Sequence, residues 1–125
     1  MTGLVVVEDD PDILSLIKAV FMADRRFSLD GVAESAEEGI EVARAAHPAL
    51  IVLDHGLVGA MTGLQAAPGF KKAAPQAKII LFTAHAELER SADAERAIDA
   101  FLLKTSVRQL LVLAQEITGL GPFTR

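Results

Sequence analysis

The sequence contains no cysteine, tryptophan or tyrosine in its 125 residues. Without cysteine there are no disulfides, no thiol nucleophile and no thiolate metal site. Basic residues are the minority charge. Twelve Lys and Arg stand against 17 Asp and Glu, a formal charge of −5, which argues against a nucleic-acid surface as the main business. Long hydrophobic runs are also missing. None approaches the roughly 18 residues of a membrane helix. No basic stretch precedes the first charge, Glu8, so neither a spanning segment nor a signal peptide is expected. What is plentiful is apolar material: 51% hydrophobic with 23% charged is the composition of a folded chain. At this length one domain is expected, burying about two-thirds of the surface of its unfolded form. These readings predict a small, acidic, cytoplasmic domain with neither membrane nor direct nucleic-acid contacts.

Four short apolar runs each end at a polar or special residue. They are Leu4-Val5-Val6-Val7 before Glu8, Leu50-Ile51-Val52-Leu53 before Asp54, Ile79-Ile80-Leu81-Phe82 before Thr83, and Phe101-Leu102-Leu103 before Lys104. Continuous runs without polar alternation read as strands buried on both faces, as in a parallel sheet covered by helices. Residues 28–33 alternate more and suit an edge strand.

Helical patterns fill the gaps. Asp10-Pro11 is a cap followed by proline at the first helical position, and Ile13, Leu16, Ile17, Val20 and Phe21 follow at helical spacing. Ser35 with Glu38 forms a capping box ahead of Ile40 and Ala43. Residues 86–97 are rich in Ala, Glu and Arg and read as a helix with little to pack. Ser106 reads as the cap of a last helix carrying Leu110, Leu111, Ala114 and Ile117, which Gly119 and Gly121 stop. In the third helix Thr62 and Gln65 mark a start, yet Pro68-Gly69 would interrupt it, so that helix is either kinked or begins late, near Pro68. Leu110 to Leu113 are four apolar residues in a row, more than one stripe needs. Val112 or Leu113 is therefore a candidate exposed residue on a partner surface.

Strands alternating with helices on short loops give a (βα)5 chain, which right-handed crossovers fold into a doubly wound α/β sandwich. The boundaries expected are a domain over residues 1–118 and a tail over 119–125. In such sheets the site lies beyond the carboxyl ends of the strands. Glu8 and Asp9, Asp54, Thr83 and Lys104 all fall at those ends. Crowded carboxylates repel unless a cation joins them, and oxygen-only ligands suit magnesium. A lysine and a hydroxyl beside them suit an anion. Metal, carboxylate nucleophile, cation and hydroxyl make a phosphoryl-transfer site.

The stretches VVVEDDPDI, LIVLDHGLVGAMTGL, IILFTAHA and AFLLKTSVRQLL, in this order, resemble the receiver domain of bacterial two-component response regulators over nearly the whole chain. The resemblance implies a flavodoxin-like, five-stranded parallel sheet in the order 2-1-3-4-5. It implies Asp54 as phosphoacceptor, with Mg2+ bound by Asp9, Asp54 and the Gly56 backbone carbonyl and by Glu8 through water. Thr83 and Lys104 would contact the phosphoryl oxygens, Phe101 would be the switch aromatic, and Gly56 and His85 would tune dephosphorylation. The donor would be a sensor histidine kinase or a histidine phosphotransfer protein. A second copy or an effector would dock on the face made by the fourth helix, fifth strand and fifth helix. The domain would catalyse its own phosphotransfer and autodephosphorylation without being a turnover enzyme.

Three positions depart from the family pattern. Val58 stands where a proline is usual, Thr62 where an acid is usual before Gly63, and Thr105 where a proline in a cis peptide usually follows the lysine. A cis bond before a non-proline costs about 2.5–4 kcal/mol, so the Lys104–Thr105 bond is open between cis and trans. None of the departures removes a reacting group. Simpler roles stand beside several functional ones: capping accounts for Asp10, packing for Phe101, and His47, His55 and His85 show no metal spacing. Other functions fit less well. A phosphate-binding small-molecule module needs a glycine- or hydroxyl-rich loop where this chain has Glu8-Asp9-Asp10. A magnesium phosphohydrolase usually carries a second acid two residues after its nucleophile, where this chain has Gly56. A pseudo-receiver, acting as a phosphorylation-independent interaction module, is the remaining alternative, and the complete set of reacting residues argues against it.

Overall fold

In the computed structural model, residues 1–124 are described and Arg125, the end of the expected tail, lies outside the described residues. The strands are β1 (Thr2–Val7), β2 (Phe27–Ala33), β3 (Leu50–Leu53), β4 (Lys78–Thr83) and β5 (Ala100–Leu103). They alternate with α1 (Pro11–Met22), α2 (Ala36–Ala46), α3 (Gly63–Ala73), α4 (Glu89–Ala94) and α5 (Leu110–Ile117). All described strand pairs are parallel, in the order β2-β1-β3-β4-β5. This is the doubly wound, flavodoxin-like sandwich. Residues 28–33 do form an edge strand.

The continuous apolar runs are explained by a core on each face of the sheet. Val5, Val7, Ile51, Leu53, Ile79 and Leu81 pack with Phe70 of α3 and Ala43 of α2. Their neighbours Leu4, Val6, Leu50, Val52, Ile80 and Phe82 pack with Ile17 and Phe21 of α1 and Leu110 of α5. Alternate residues of one strand thus feed opposite cores. Each fully buried aliphatic side chain is worth about 1.5–3 kcal/mol of burial.

Three helix readings need correction. α3 does not begin late. It starts at Gly63 under a capping box, in which Thr62 Oγ1 accepts from Gln65 N (3.2 Å) and Gln65 Oε1 accepts from Thr62 N (3.0 Å). Pro68 lies inside the helix on its exposed face, where the missing N–H and the Leu64 carbonyl it leaves unpaired cost least. Ser106 does not cap α5. It sits at non-helical φ −101°, ψ 31° within a tight 3-10 segment, Lys104–Gln109, and α-helical geometry begins only at Leu110. The stretch 86–97 is a 3-10 turn, Ala86–Leu88, then the short α4, of which only Ala92 is buried. Glu95 ends it by accepting the Ala97 N–H (3.0 Å), a local bond that competes with the helix ladder.

Other readings hold. Asp10 caps α1, its Oδ1 accepting from Asp12 N at 2.9 Å. Val112 is 55% exposed. No cis peptide occurs among the described residues, so Lys104–Thr105 is trans. After α5 the chain turns at Gly119 (φ 77°) and Gly121 (φ 68°), left-handed conformations that favour glycine. No helix among the described residues is long and apolar enough to cross a membrane.

Candidate functional site

Four of the five strands, all but the edge strand β2, deliver polar residues to the same rim. Glu8 and Asp9 follow β1, Asp54 follows β3, Thr83 ends β4 and Lys104 follows β5. Parallel register keeps these ends level: Val7 pairs with Leu53, and Thr83 with Leu103. The Asp54 N–H donates to the Val7 carbonyl (3.0 Å), so the β1 and β3 ends stay in step as they leave the sheet.

Asp54 is 6% exposed and its Oδ1 is held twice. The His55 backbone N–H donates to it at 2.8 Å, and Lys104 Nζ lies 3.2 Å away. Glu8 is 2% exposed; its Oε2 accepts from Asp10 N at 3.1 Å. Its Oε1 is ion-paired with Lys104 Nζ at 3.0 Å, so the lysine bridges Glu8 and Asp54. Burial, opposed by Lys104 and reinforced by the Asp54 charge, pushes the Glu8 carboxyl up to about 7. Burial also works against the Lys104 charge, but the two carboxylates outweigh it and hold the ammonium above the ordinary lysine range.

Glu8, Asp9 and Asp54 each bring a carboxylate oxygen within 4.8 Å of the others. One lysine does not balance three acids. An oxygen-only set of three clustered carboxylates is the chemistry of a hard divalent cation, and magnesium fits it.

The remaining predicted residues are placed around this cluster. Thr83 is fully buried and its Oγ1 accepts from His85 N at 3.2 Å, which leaves the hydroxyl proton to donate elsewhere. Gly56 is exposed, and a Cβ there would meet nothing within 4 Å. His85 is exposed and pairs with Glu87 (Nδ1 to Oε1, 3.1 Å), and its ring stands edge-on to His55 with centroids 6.4 Å apart. Burial, with the nearby His85, holds the His55 pKa below the usual histidine value. Phe101 is half-buried on β5, beside Leu81 in register and packed against the α2–α3 core. It is set back from the carboxylates.

Gly63 is a supporting residue that the sequence reading used only as a landmark. Its N–H donates to the His55 carbonyl (2.9 Å), and a Cβ there would lie 1.9 Å from the Asp54 carbonyl oxygen. The start of α3 therefore presses on the backbone of Asp54, and only glycine permits that approach. Val58, at the position of the usual proline, makes an isolated parallel bridge with Ser35, and Glu37 Oε1 accepts from Ala60 N (3.2 Å). Both contacts tie the loop after Asp54 to the start of α2.

The comparisons with known proteins agree with this geometry. The family model for the response regulator receiver domain matches residues 4–116. The nitrate/nitrite response regulator protein NarL of Escherichia coli K12 is 28% identical over 102 residues, which is 81% of this chain and 47% of that protein. The chain thus spans about half the length of this relative. Among solved structures, the CheY-like receiver domain protein of Methanospirillum hungatei JF-1 is 26% identical, with a TM-score of 0.81 over 95% of this chain and 94% of that one. The receiver domain of the putative NarL of Mycobacterium tuberculosis, at 22% identity, shares the fold with a TM-score of 0.83 over 94% and 96%. The chain belongs to the response regulator receiver domain family of two-component signalling.

Proposed function

We propose that Asp54 accepts a phosphoryl group from a phosphohistidine on a sensor histidine kinase or histidine phosphotransfer protein in the cytoplasm. One observation carries the reading: a buried Asp54 whose Oδ1 is held by Lys104 and the His55 N–H, with carboxylate oxygens of two further acids within 4.8 Å. With Oδ1 held, Oδ2 is the attacking oxygen. Its bond to phosphorus forms as the phosphorus–nitrogen bond breaks, and the imidazole leaves with a proton from solvent. Lys104 then balances charge on the phosphoryl oxygens and the Thr83 hydroxyl donates to them. Asp9, Asp54 and the Gly56 carbonyl, with Glu8 through water, would hold Mg2+, which supplies neutralisation of the charge that develops in transfer. Positioning and charge do most of the work in such a loose transition state.

The readout runs through Phe101. Drawing Thr83 towards the phosphoryl group vacates space behind it, which the half-buried ring fills by turning inward. Burial at about 25 cal/mol per Å2 biases such an equilibrium without locking it. The outer side of β5 and α5 already holds a groove of about 380 Å3 lined by Phe101, Arg108, Val112 and Leu113 among others. A second copy or an effector would dock on this α4–β5–α5 face. Autodephosphorylation would be set by Gly56, whose open surroundings admit water, and by His85. The switching unit is residues 1–118, with 119–125 as its tail. A phosphorylation-independent module is less well supported, because Asp54 lies beside Lys104 and two further acids.

The test is labelling with a small phosphodonor and magnesium, followed by intact-mass spectrometry. One phosphoryl group is expected on the wild type and none on Asp54→Asn. Undiminished labelling of the variant overturns the assignment.

A further inference from the structure

At the opposite pole from the acidic rim, where β1 and β2 begin and α1 ends, lies an apolar groove of about 410 Å3. Its floor is Phe21 against Phe27, edge-on with centroids 5.0 Å apart. Its walls include Met22 and Leu29, which are 83% and 43% exposed. Lys18 and Arg25 line it as well, both exposed, and neither takes part in an ion pair among the described residues. Both charged side chains that line the groove are thus basic, on a chain of net charge −5.

The adjoining corner already holds a peptide in cis. Asp24, fully buried, accepts from Arg26 Nε and Nη2 (3.0 and 2.7 Å) and from Gln115 Nε2 (3.0 Å). Thus fixed, the Arg26 guanidinium donates to the carbonyls of Leu120 and Gly121 (3.0 and 2.8 Å), and the Phe123 ring lies 5.3 Å from its Cζ. Phe123 lines a smaller cavity of about 240 Å3 together with Met22 and Arg25, residues that also line the larger groove. The described part of the tail therefore runs up to the edge of the groove.

We infer that this α1–β2 groove is a docking site for an acidic segment of a partner protein that inserts a large apolar side chain. The floor and the thioether wall accept the apolar anchor, since methionine adapts to varied shapes. Lys18 and Arg25 pair with carboxylates on either side of it, which gives orientation and a salt-dependent on-rate. A concave trough suits a peptide better than a flat lipid surface. The groove lies at the opposite end of the strands from Asp54, so docking here does not need the residues of the phosphorylation site.

The test uses the chain with methyl-labelled methionine and a display library of random dodecapeptides. The three methionines report position, because Met1 and Met22 line the groove while Met61 lies on the loop leading to α3. Selected peptides are expected to combine Asp or Glu with Leu, Phe or Met and to shift Met1 and Met22 but not Met61. Charge reversal by Lys18→Glu with Arg25→Glu, both exposed, should weaken them by about tenfold or more, mainly at low salt, while Asp54→Asn leaves them unchanged. The inference is overturned if no acidic–apolar pattern is enriched, if the charge-reversed chain binds equally, or if Met61 alone responds. It is also overturned if phosphatidylglycerol vesicles or self-association shift Met1 and Met22 while the peptides do not.

Discussion

Replacing Glu8 by Gln tests the electrostatics of the rim without any ligand. In the folded chain the carboxyl titrates at about 7, raised from 4.5 chiefly by burial. Between those values the folded state keeps a proton that the unfolded state has lost. Stability therefore falls as pH rises, by up to about 1.4 kcal/mol per pH unit. The stabilisation is complete below pH 4.5 and is gone once pH passes 7. The full interval corresponds to about 3 kcal/mol, and solvent at the rim reduces the measurable part to about 1–2 kcal/mol. Urea unfolding followed by far-ultraviolet circular dichroism suits a chain without Trp or Tyr. Measured in chelator from pH 4.5 to 8, the wild type should lose stability relative to Glu8→Gln. Taking the difference between the two proteins cancels His55, whose lowered pKa acts the other way and removes stability as pH falls. Parallel curves, or a wild type that gains on the variant with rising pH, would refute the reasoning.

Magnesium should raise the melting temperature of the wild type, because the folded acidic cluster binds it and the unfolded chain does not; saturation at a hundredfold over Kd is worth about 2.7 kcal/mol. Asp9→Ala should lose that dependence in calorimetry and gain metal-free stability by relieving repulsion with Glu8 and Asp54. Gly63→Ala places a Cβ 1.9 Å from the Asp54 carbonyl oxygen, backbone against backbone, and should cost at least the upper end of about 1–3 kcal/mol by urea unfolding; a neutral substitution would show that α3 can shift. Beryllofluoride with magnesium should change amide exchange within residues 84–115, as Phe101 moves inward; occupancy of Asp54 without such a change would refute the readout.

The fold was legible because burial leaves a signature in residue type. Leu50-Ile51-Val52-Leu53 reads as a strand covered on both faces, and all four residues are at most 1% exposed. Where structure departs from sequence pattern the cause is shared: contacts beyond the element outweigh its local signals. Pro68 looks like a helix boundary until one knows that it faces water, and Ser106 looks like a cap until the segment from Lys104 to Gln109 is seen to wind as a tight 3-10 turn. Residues 86–97 have helix-forming composition, but only Ala92 of α4 is buried, and little packing holds the rest.

The site divides along the same line. Groups that would do chemistry must be acids, a lysine and a hydroxyl, and such residues ending apolar runs can be read directly. Groups that hold them in place need not carry any distinctive side chain. The His55 N–H on Asp54 and the Gly63 N–H on His55 are backbone contacts, invisible in composition. The Asp24–Gln115 bond joins residues 91 positions apart, and Arg26 reaches Leu120 across 94. No local pattern marks such pairs, because their value comes from burial that exists only after folding. The same holds for the charge balance of the rim. An acid after β1 is visible in the sequence, but its crowding with Asp9 and Asp54 around one lysine is a property of the assembled rim, and that excess of negative charge makes a cation the fitting occupant.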